Sequence, residues 1–458
     1  MNIMKSILFI IPWSGFYIGR SGCSFAEEPE RPPEGVVGLA TFLKSKGAPV
    51  KVADMQQMLR SNDGDAQQTY ADLWQLCTEF KPDCIGLSFF TARFEYARDV
   101  FVYLTRKYNE STLCRPFIFA GGVHPTLLPH TTYSHIPFDA LVIGEGELPL
   151  LQFLSGVSPH EIKGFFMPGD TEAVKADVID NLDDLPFPDW SLIDIDFYTQ
   201  PSFQISYAEK DSVMPITFGR GCMYRCNFCA HNCFLYARCH SADYFIRKMQ
   251  HVSKQCGVSY FIIQDSSIGN FRTTWKQVCH RLIEMGSPYK WWANLRANQV
   301  DEDFLRLLKA AGCIKLFFGF ESGSQRVLDR MNKRITIDQC RRAAELCHKL
   351  DLPFYTSYIV NYFDEEESDL RLTEELIRET RPTSLAVNKF SPIPGSIDYD
   401  TNEERIKPYI KTIHDWTMLG MLVSPRLFGN MPEEDFERWY KHLRGLKKYI
   451  NSHEDTSQ

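Results

Sequence analysis

The sequence predicts an α/β chain of two consecutive parallel assemblies. A doubly wound sheet spans residues 1–155 and a partial (β/α) barrel spans 211–398. A linker at 156–210 joins them, and a small helical region follows at 399–458. Three observations predict this. Short continuous apolar runs recur along the chain, as in Ser6–Ile11, Cys84–Phe89 and Ile314–Phe318. Segments with helical spacing separate them. Glycines fall just after run ends, at Gly121-Gly122 and Gly144. Unalternating apolar runs are what strands buried on both faces look like, and helices on both faces are how parallel sheets are covered.

In the first half the expected strands are Ser6–Ile11, Pro49–Ala53, Cys84–Phe89, Pro116–Ala120 and Ala140–Ile143. The expected helices are Gly35–Lys46, Ala71–Phe80, Phe94–Tyr108 and Glu147–Leu154. The apolar amino-terminal run is short, is interrupted by Pro12 and lacks a small-residue cleavage site, so it reads as a buried first strand rather than a signal peptide. The acidic, proline-punctuated segment Asn181–Asp196 reads as an ordered linker wrapping between domains, with a plain surface loop as the alternative. The second half offers strands at Pro215–Phe218, Tyr260–Gln264, Trp291–Asn294, Ile314–Phe318, Phe354–Ile359 and Leu385–Phe390. Helical patterns lie between them at Asp301–Ala311, Ser324–Met331, Ile337–Leu350 and Glu365–Thr380. Six βα-type units in succession suggest a barrel or part of one.

Bulk properties narrow the function. The 458 residues carry a net charge of −8, which argues against a general nucleic-acid binder. No window holds the roughly 18 uninterrupted apolar residues of a membrane span. The 14 cysteines come without an export signal, so thiols in a reducing cytoplasm are expected rather than a disulfide framework. No G-x-G-x-x-G or P-loop supports a dinucleotide or nucleoside triphosphate.

One cysteine cluster stands out. Cys222, Cys226 and Cys229 form Cys-x3-Cys-x2-Cys just after a candidate strand. Three thiolates so close in sequence can ligate three irons of a cubane and leave the fourth open to a small chelating molecule. Two other readings stand beside it: a zinc site completed by Cys233 or Cys239, and a closed electron-transfer cluster using Cys233. The position of the run, at a strand end within a βα series, favours the open cluster.

With Phe228 just before the last cysteine, this spacing resembles the signature of the radical S-adenosylmethionine (SAM) superfamily. Gly319-Phe320-Glu321-Ser322-Gly323-Ser324 and Phe390-Ser391-Pro392-Ile393-Pro394-Gly395-Ser396 are similar to the fourth-strand and sixth-strand segments of its cobalamin-binding branch. In the first half the likeness rests on Pro32–Leu39, on Gly86-Leu87-Ser88 with Thr91, on Gly121–Thr126 and on Gly144–Glu147. The resemblance implies a Rossmann-like cobalamin domain followed by a radical SAM barrel, with a 4Fe-4S cluster on Cys222, Cys226 and Cys229. It implies SAM contacts from Phe228, Asp265, Arg296, Glu321 and Ser322. It implies cobalamin contacts from Pro33, Gly35, Ser88, Thr91, Gly121, Gly122, His124, Gly144, Glu145 and Gly146.

The activity implied is methyl transfer to an unactivated carbon, or phosphorus, through methylcobalamin and a 5′-deoxyadenosyl radical. The substrate would be a small molecule or peptide, with flavodoxin or ferredoxin as electron donor. A rearrangement, cyclisation or ring contraction with the same cofactors is the first rival. A corrinoid carrier or sensor and an iron–sulfur electron carrier are rivals of another class.

Three departures and two structural alternatives accompany the resemblance. Asp265 is followed by Ser266-Ser267 where paired acids are usual. The fifth strand ends in Asn361-Tyr362-Phe363-Asp364 instead of a glycine-rich acidic turn. No Asp-x-His-x-x-Gly is present, so no histidine ligand to cobalt is expected, and His124 reads as a loop residue, with Phe90, Thr91 or Arg93 nearer the lower face of the corrin. Glu321 as a helix amino-terminal acid and Arg296 as an ion-pair partner are the structural alternatives.

Overall fold

The computed structural model of the chain describes residues 4–13, 31–199, 212–230, 236–420 and 428–452. Two compact units emerge. The first comprises Met1–Ser212, Lys254–Gly257 and Lys407–Met421, and the second comprises Val213–Ser253, Val258–Ile406 and Leu422–Gln458.

The first unit is built on strands β1 (Ile7–Ile11), β2 (Val50–Asp54), β3 (Cys84–Ser88), β4 (Phe117–Gly121), β5 (Ala140–Val142) and β6 (Phe165–Phe166). Their order is β2-β1-β3-β4-β5-β6. The first five run parallel and β6 is antiparallel to β5. Successive side chains point to opposite faces. Leu8, Ile10, Ile85, Leu87 and Ile118 therefore enter one core, while Ile7, Phe9, Ile11, Cys84 and Phe119 enter the other. That double burial is why these strands read as unbroken apolar runs. Chain order reverses between β1 and β3, and such a reversal leaves a crevice beyond the carboxyl ends of the strands.

Helices Glu34–Ser45, Phe94–Glu110 and Glu147–Leu154 lie within two residues of expectation. The helix expected at Ala71 starts earlier, at Ala66, because Asp65 caps it by accepting Gln67 N–H (2.8 Å) and Gln68 N–H (3.1 Å). An unanticipated helix, Met55–Ser61, is capped in the same way by Asp54. Asp54 is buried, also accepts the Tyr198 hydroxyl, and its carboxyl is pushed up to about 6 by desolvation. The segment around Asn181–Thr199 is ordered on this unit. Trp190 is fully buried, Asp189 pairs with Lys44 at 2.8 Å, and Gln57 bonds the Asp194 backbone. Helix Ile413–Gly420 also belongs here: Ile413 enters the core, and His414 meets Glu95 at 2.8 Å.

The second unit holds strands β7 (Val213–Ile216), β8 (Gly219–Arg220), β9 (Arg238–Cys239), β10 (Tyr260–Ile263), β11 (Lys290–Leu295), β12 (Cys313–Glu321), β13 (Phe354–Val360) and β14 (Ser384–Lys389). Six of them form an all-parallel sheet in the order β14-β13-β12-β11-β10-β7, and β8 and β9 form a separate antiparallel pair. Each strand neighbours the next in sequence, with no reversal. β7 and β14 are both edges, so the barrel is partial and open. Its helices include Arg272–Glu284, Glu302–Ala310, Gln325–Arg330, Ile337–Lys349 and Glu367–Thr380. Among the described residues no helix is long and apolar enough to cross a membrane.

Candidate functional site

In the first unit most of the residues expected to meet cobalamin, from Ser88 to Gly146, lie at the carboxyl ends of β3, β4 and β5. Backbone bonds lace the loops together: Phe89 N–H donates to Gly121 O (3.3 Å) and His124 N–H to Phe89 O (3.2 Å). The Thr126 hydroxyl accepts Gly144 N–H at 3.0 Å. Gly122 has φ +93°, and a Cβ there would sit 3.0 Å from Ser88 Oγ and 3.1 Å from Phe89 N, so only glycine fits the crossing. Gly146 opens helix Glu147–Leu154 against Leu39, where a Cβ would approach to 3.0 Å. Pro33 and Gly35 stand at the start of helix Glu34–Ser45, with Gly35 exposed.

His124 lies beneath this surface. It is fully buried, with its ring 4.0 Å from that of Phe94 and its Nδ1 3.0 Å from Thr91 Oγ1. Burial pushes its pKa down to about 3, with His135 adding to the shift, so the imidazole is neutral. Phe90, by contrast, presents an aromatic ring that is 61% exposed at the end of β3.

In the second unit the cysteine loop follows β8. Cys226 is buried, and Cys222 and Cys229 are half-buried. A turn joins Cys229 N–H to Cys226 O at 3.1 Å. The loop is pinned from several sides. Asn227 N–H donates to Met331 O (2.8 Å), Asn332 Nδ2 to Arg225 O (2.7 Å) and Asp398 N–H to Asn227 O (2.9 Å). Cys239 sits in β9, opposite Gly219, while Cys233 lies outside the described residues. No three His, Cys, Asp or Glu side chains among the described residues are gathered tightly enough to share one ion. A cubane instead spreads its thiolates over separate irons.

Around the loop is a buried, charged network. Arg296, just past β11, sets Nη1 3.4 Å from Cys226 Sγ, bonds the Lys333 carbonyl through Nη2, and lies 3.7 Å from the Tyr224 ring. Among the described residues it pairs with no carboxylate. Glu321 ends β12 with φ +65°, at a register shift. Its Oε1 meets Lys333 Nζ at 2.7 Å, and both side chains are 8% exposed. Ser357 Oγ donates to its other oxygen at 3.4 Å. A Cβ on Gly319 would lie 2.2 Å from Glu321 Oε1, so glycine makes room for the pair. Phe228 lies 5.6 Å from Lys333 Nζ. Asp265, just past β10, accepts Phe218 N–H at 2.8 Å. Ser322 is fully buried, with its hydroxyl accepting Ser324 N–H at 3.1 Å and lying 3.5 Å from Thr373 Oγ1.

The unusual fifth-strand end proves to be a clamp. Asn361 has φ +66°, and its Oδ1 accepts Phe428 N–H (2.7 Å) and Gly429 N–H (3.0 Å). The buried carboxyl of Glu365 accepts Asn361 N–H (2.5 Å), and desolvation pushes its pKa up to about 8. Beside it, Tyr362 donates to Asp398 at 2.6 Å, and burial raises Asp398 to about 6. Ser396, in the sixth-strand segment, caps helix Ile397–Thr401 by accepting Tyr399 N–H at 3.1 Å.

Thus Arg296, Glu321, Phe228 and Cys226 come together around Lys333, Asp265 flanks the strand leading to the loop, and Ser322 is buried at the turn after Glu321. Sequence reasoning missed Tyr224, Asn270, Gln299, Lys333, Ser357 and Asp398.

The residues fit the groups that the resemblance implies. Arg296 Nε and Asn270 Oδ1 are buried with no partner among the described residues, as polar atoms beside a ligand site would be. Comparison with known proteins agrees on architecture. Residues 216–377 match the Radical SAM superfamily, and residues 29–154 match the B12 binding domain. An uncharacterized methyltransferase of Pyrococcus horikoshii is 25% identical, over 86% of this chain and 82% of its own length. The anaerobic magnesium-protoporphyrin IX monomethyl ester cyclase of Rubrivivax gelatinosus is 27% identical, over 80% of this chain and 65% of its own. The radical S-adenosylmethionine methyltransferase TsrM of Kitasatospora setae, solved with cobalamin and a [4Fe-4S] cluster, shares the fold with a TM-score of 0.69 at 15% identity, covering 88% of this chain and 75% of TsrM.

Proposed function

We propose that this chain, which unites a B12-binding domain with a radical SAM domain, is a methyltransferase acting on an unactivated carbon, or phosphorus, of a small-molecule or peptide substrate. The observation that carries the reading is the pairing in one chain of two sites. One is a three-cysteine loop at the carboxyl edge of an open parallel barrel. The other is a glycine-built edge on a doubly wound sheet.

When bound, the cluster with SAM supplies a radical and the corrinoid supplies the methyl group; the protein's task is binding, orientation and exclusion of water. Cys222, Cys226 and Cys229 hold the cluster through three thiolates. The buried Lys333–Glu321 pair and Phe228 are the polar and aromatic groups that would hold SAM beside Cys226, with Asp265 fixing the adjoining backbone and contributing to the same contact set. Ser322, at the turn that follows Glu321, is the further SAM contact in this reading. Ser88, Thr91, Gly121, Gly122 and Gly144–Gly146 offer backbone approach to cobalamin, with Pro33 and Gly35 alongside. His124 would act through Thr91, and the exposed Phe90 ring would offer the corrin an apolar contact. An electron donor of flavodoxin or ferredoxin type, in a reducing cytoplasm, completes the system.

The relative named as a cyclase supports a second reading, the same cofactors used without methyl transfer. Anaerobic turnover with labelled SAM and candidate substrates separates the two. Methyl transfer yields S-adenosylhomocysteine and 5′-deoxyadenosine in equal amounts. Substrate-dependent 5′-deoxyadenosine without S-adenosylhomocysteine, under conditions that reduce cobalt, contradicts it.

A further inference from the structure

Two side chains aim N–H bonds at sulfurs of the cysteine loop. Arg296 Nη1 lies 3.4 Å from Cys226 Sγ, and Asn270 Nδ2 lies 3.8 Å from Cys222 Sγ. Both are more than nine-tenths buried, at 8% and 9% exposure. Both are held by other contacts. The guanidinium is fixed by the Lys333 carbonyl and by the ring of Tyr224, whose hydroxyl in turn accepts Gln299 Nε2 at 3.2 Å. Asn270 sits in the short helical turn Ile268–Phe271, its backbone N–H bonded to Ser267 O at 3.1 Å. Ser267 Oγ donates to the same Gln299 at 2.6 Å. One glutamine side chain thus braces both donors.

We infer that Arg296 and Asn270 are positioning residues that set the reduction potential of the cluster by donating N–H bonds to the thiolates of Cys226 and Cys222. Cluster potentials depend on net charge, burial and hydrogen bonds to sulfur. An N–H donor stabilises the more negative, reduced state, so it raises the potential. In a buried setting the effect is strengthened, because little solvent competes. The two donors are unequal. The charged, shorter contact serves the most buried sulfur, and the neutral, longer one serves a half-exposed sulfur, so Arg296 has the larger effect. This assigns Arg296 to the cluster's sulfur ligand, whereas the sequence resemblance placed it on SAM. The inference rests on the proposed function, since it needs the cluster to be present.

The test is a redox titration of the full-length, anaerobically reconstituted protein without SAM, followed by electron paramagnetic resonance. Arg296→Met and Asn270→Leu should each shift the midpoint to more negative potential, with Arg296→Met shifting it further. Asn270→Asp, which places an acceptor beside the sulfur, should shift it more than Asn270→Leu. Arg296→Lys, which keeps the charge without the planar fork, should fall between wild type and Arg296→Met. If Arg296→Met fails to assemble, Asn270→Leu decides alone. An unchanged midpoint in Asn270→Leu at full iron content overturns the inference, as does an unmoved midpoint with weakened SAM affinity in Arg296→Lys. A wild-type chain that takes up no cluster overturns the underlying reading, and this inference with it.

Discussion

The two units present the same kind of edge, the carboxyl ends of parallel strands, and furnish it in opposite ways. The first is lined mostly by small groups, Ser88, Thr91, Gly121, Gly122 and Gly144, over a histidine kept neutral by burial, with Glu145 as the one acid among the residues expected there. The second is crowded with buried charge: Arg296, Lys333, Glu321 and Asp265 are all less than a tenth exposed. Strand geometry alone therefore does not decide what such an edge receives. Glycines and hydroxyls let backbone approach a large flat partner, and fixed charges suit a small polar one that must be held against water.

The largest effect expected from breaking this contrast is in the charged edge. Glu321→Ala leaves the Lys333 ammonium buried without its carboxylate, and removal of one partner of a buried pair costs about 3 kcal/mol or more. Denaturant unfolding measures it, and the same variant should depress both SAM-derived products. A loss near zero would mean that the pair is not the anchor of that edge.

In the neutral edge the corresponding change is Gly122→Ala. With φ +93° and Ser88 Oγ 3.0 Å from the new Cβ, the loop must shift, at about 2 kcal/mol. Cobalamin affinity, read from its absorbance, should fall, while iron content stays unchanged. Unaltered affinity would separate this loop from the corrinoid.

The sharpest contrast is in pH dependence. His124 is pushed down to about 3 from 6.5 by burial, with His135 contributing. Between those values the unfolded chain binds a proton that the folded chain refuses. Its contribution is therefore whole above pH 6.5 and is lost as pH falls toward 3. Glu365 is pushed up to about 8 from 4.5 by burial, with Asp369 adding to the rise and Arg326 opposing it. Its contribution is whole below pH 4.5 and is lost as pH rises through 8. His124→Phe, packed by Phe89 and Phe94, should flatten the acid side of the stability profile. Glu365→Gln should flatten the alkaline side. Profiles that keep the wild-type slope in each variant would remove these residues from the account.

Much of the architecture was legible because burial on both faces writes itself as apolar runs. β3 begins at Cys84 as expected, and β10, β11, β13 and β14 lie within two residues of their expected ends. What escaped was local or tertiary. β6 is two residues long and antiparallel, too short to leave a pattern. Helix Met55–Ser61 was readable only through its cap, Asp54, which continues directly from a strand. At the site, Cys222, Cys226 and Cys229 announced themselves by spacing. Lys333 did not, because its meeting with Glu321 depends on a left-handed residue at the end of β12 and on the helix that brings the chain back. Asn361 departs from the usual fifth-strand turn because it holds the Phe428–Gly429 backbone instead.

The central claim is that one chain carries two cofactor sites on separate regions, and iron and cobalamin contents measured together test it most directly. After anaerobic reconstitution the wild-type chain should hold about four irons and about one cobalamin, the latter base-off. Replacing Cys222, Cys226 and Cys229 together by Ala should remove the iron and leave cobalamin bound, since each unit has its own core. A triple variant that keeps its iron, or a wild-type chain that binds no cobalamin, would contradict the account.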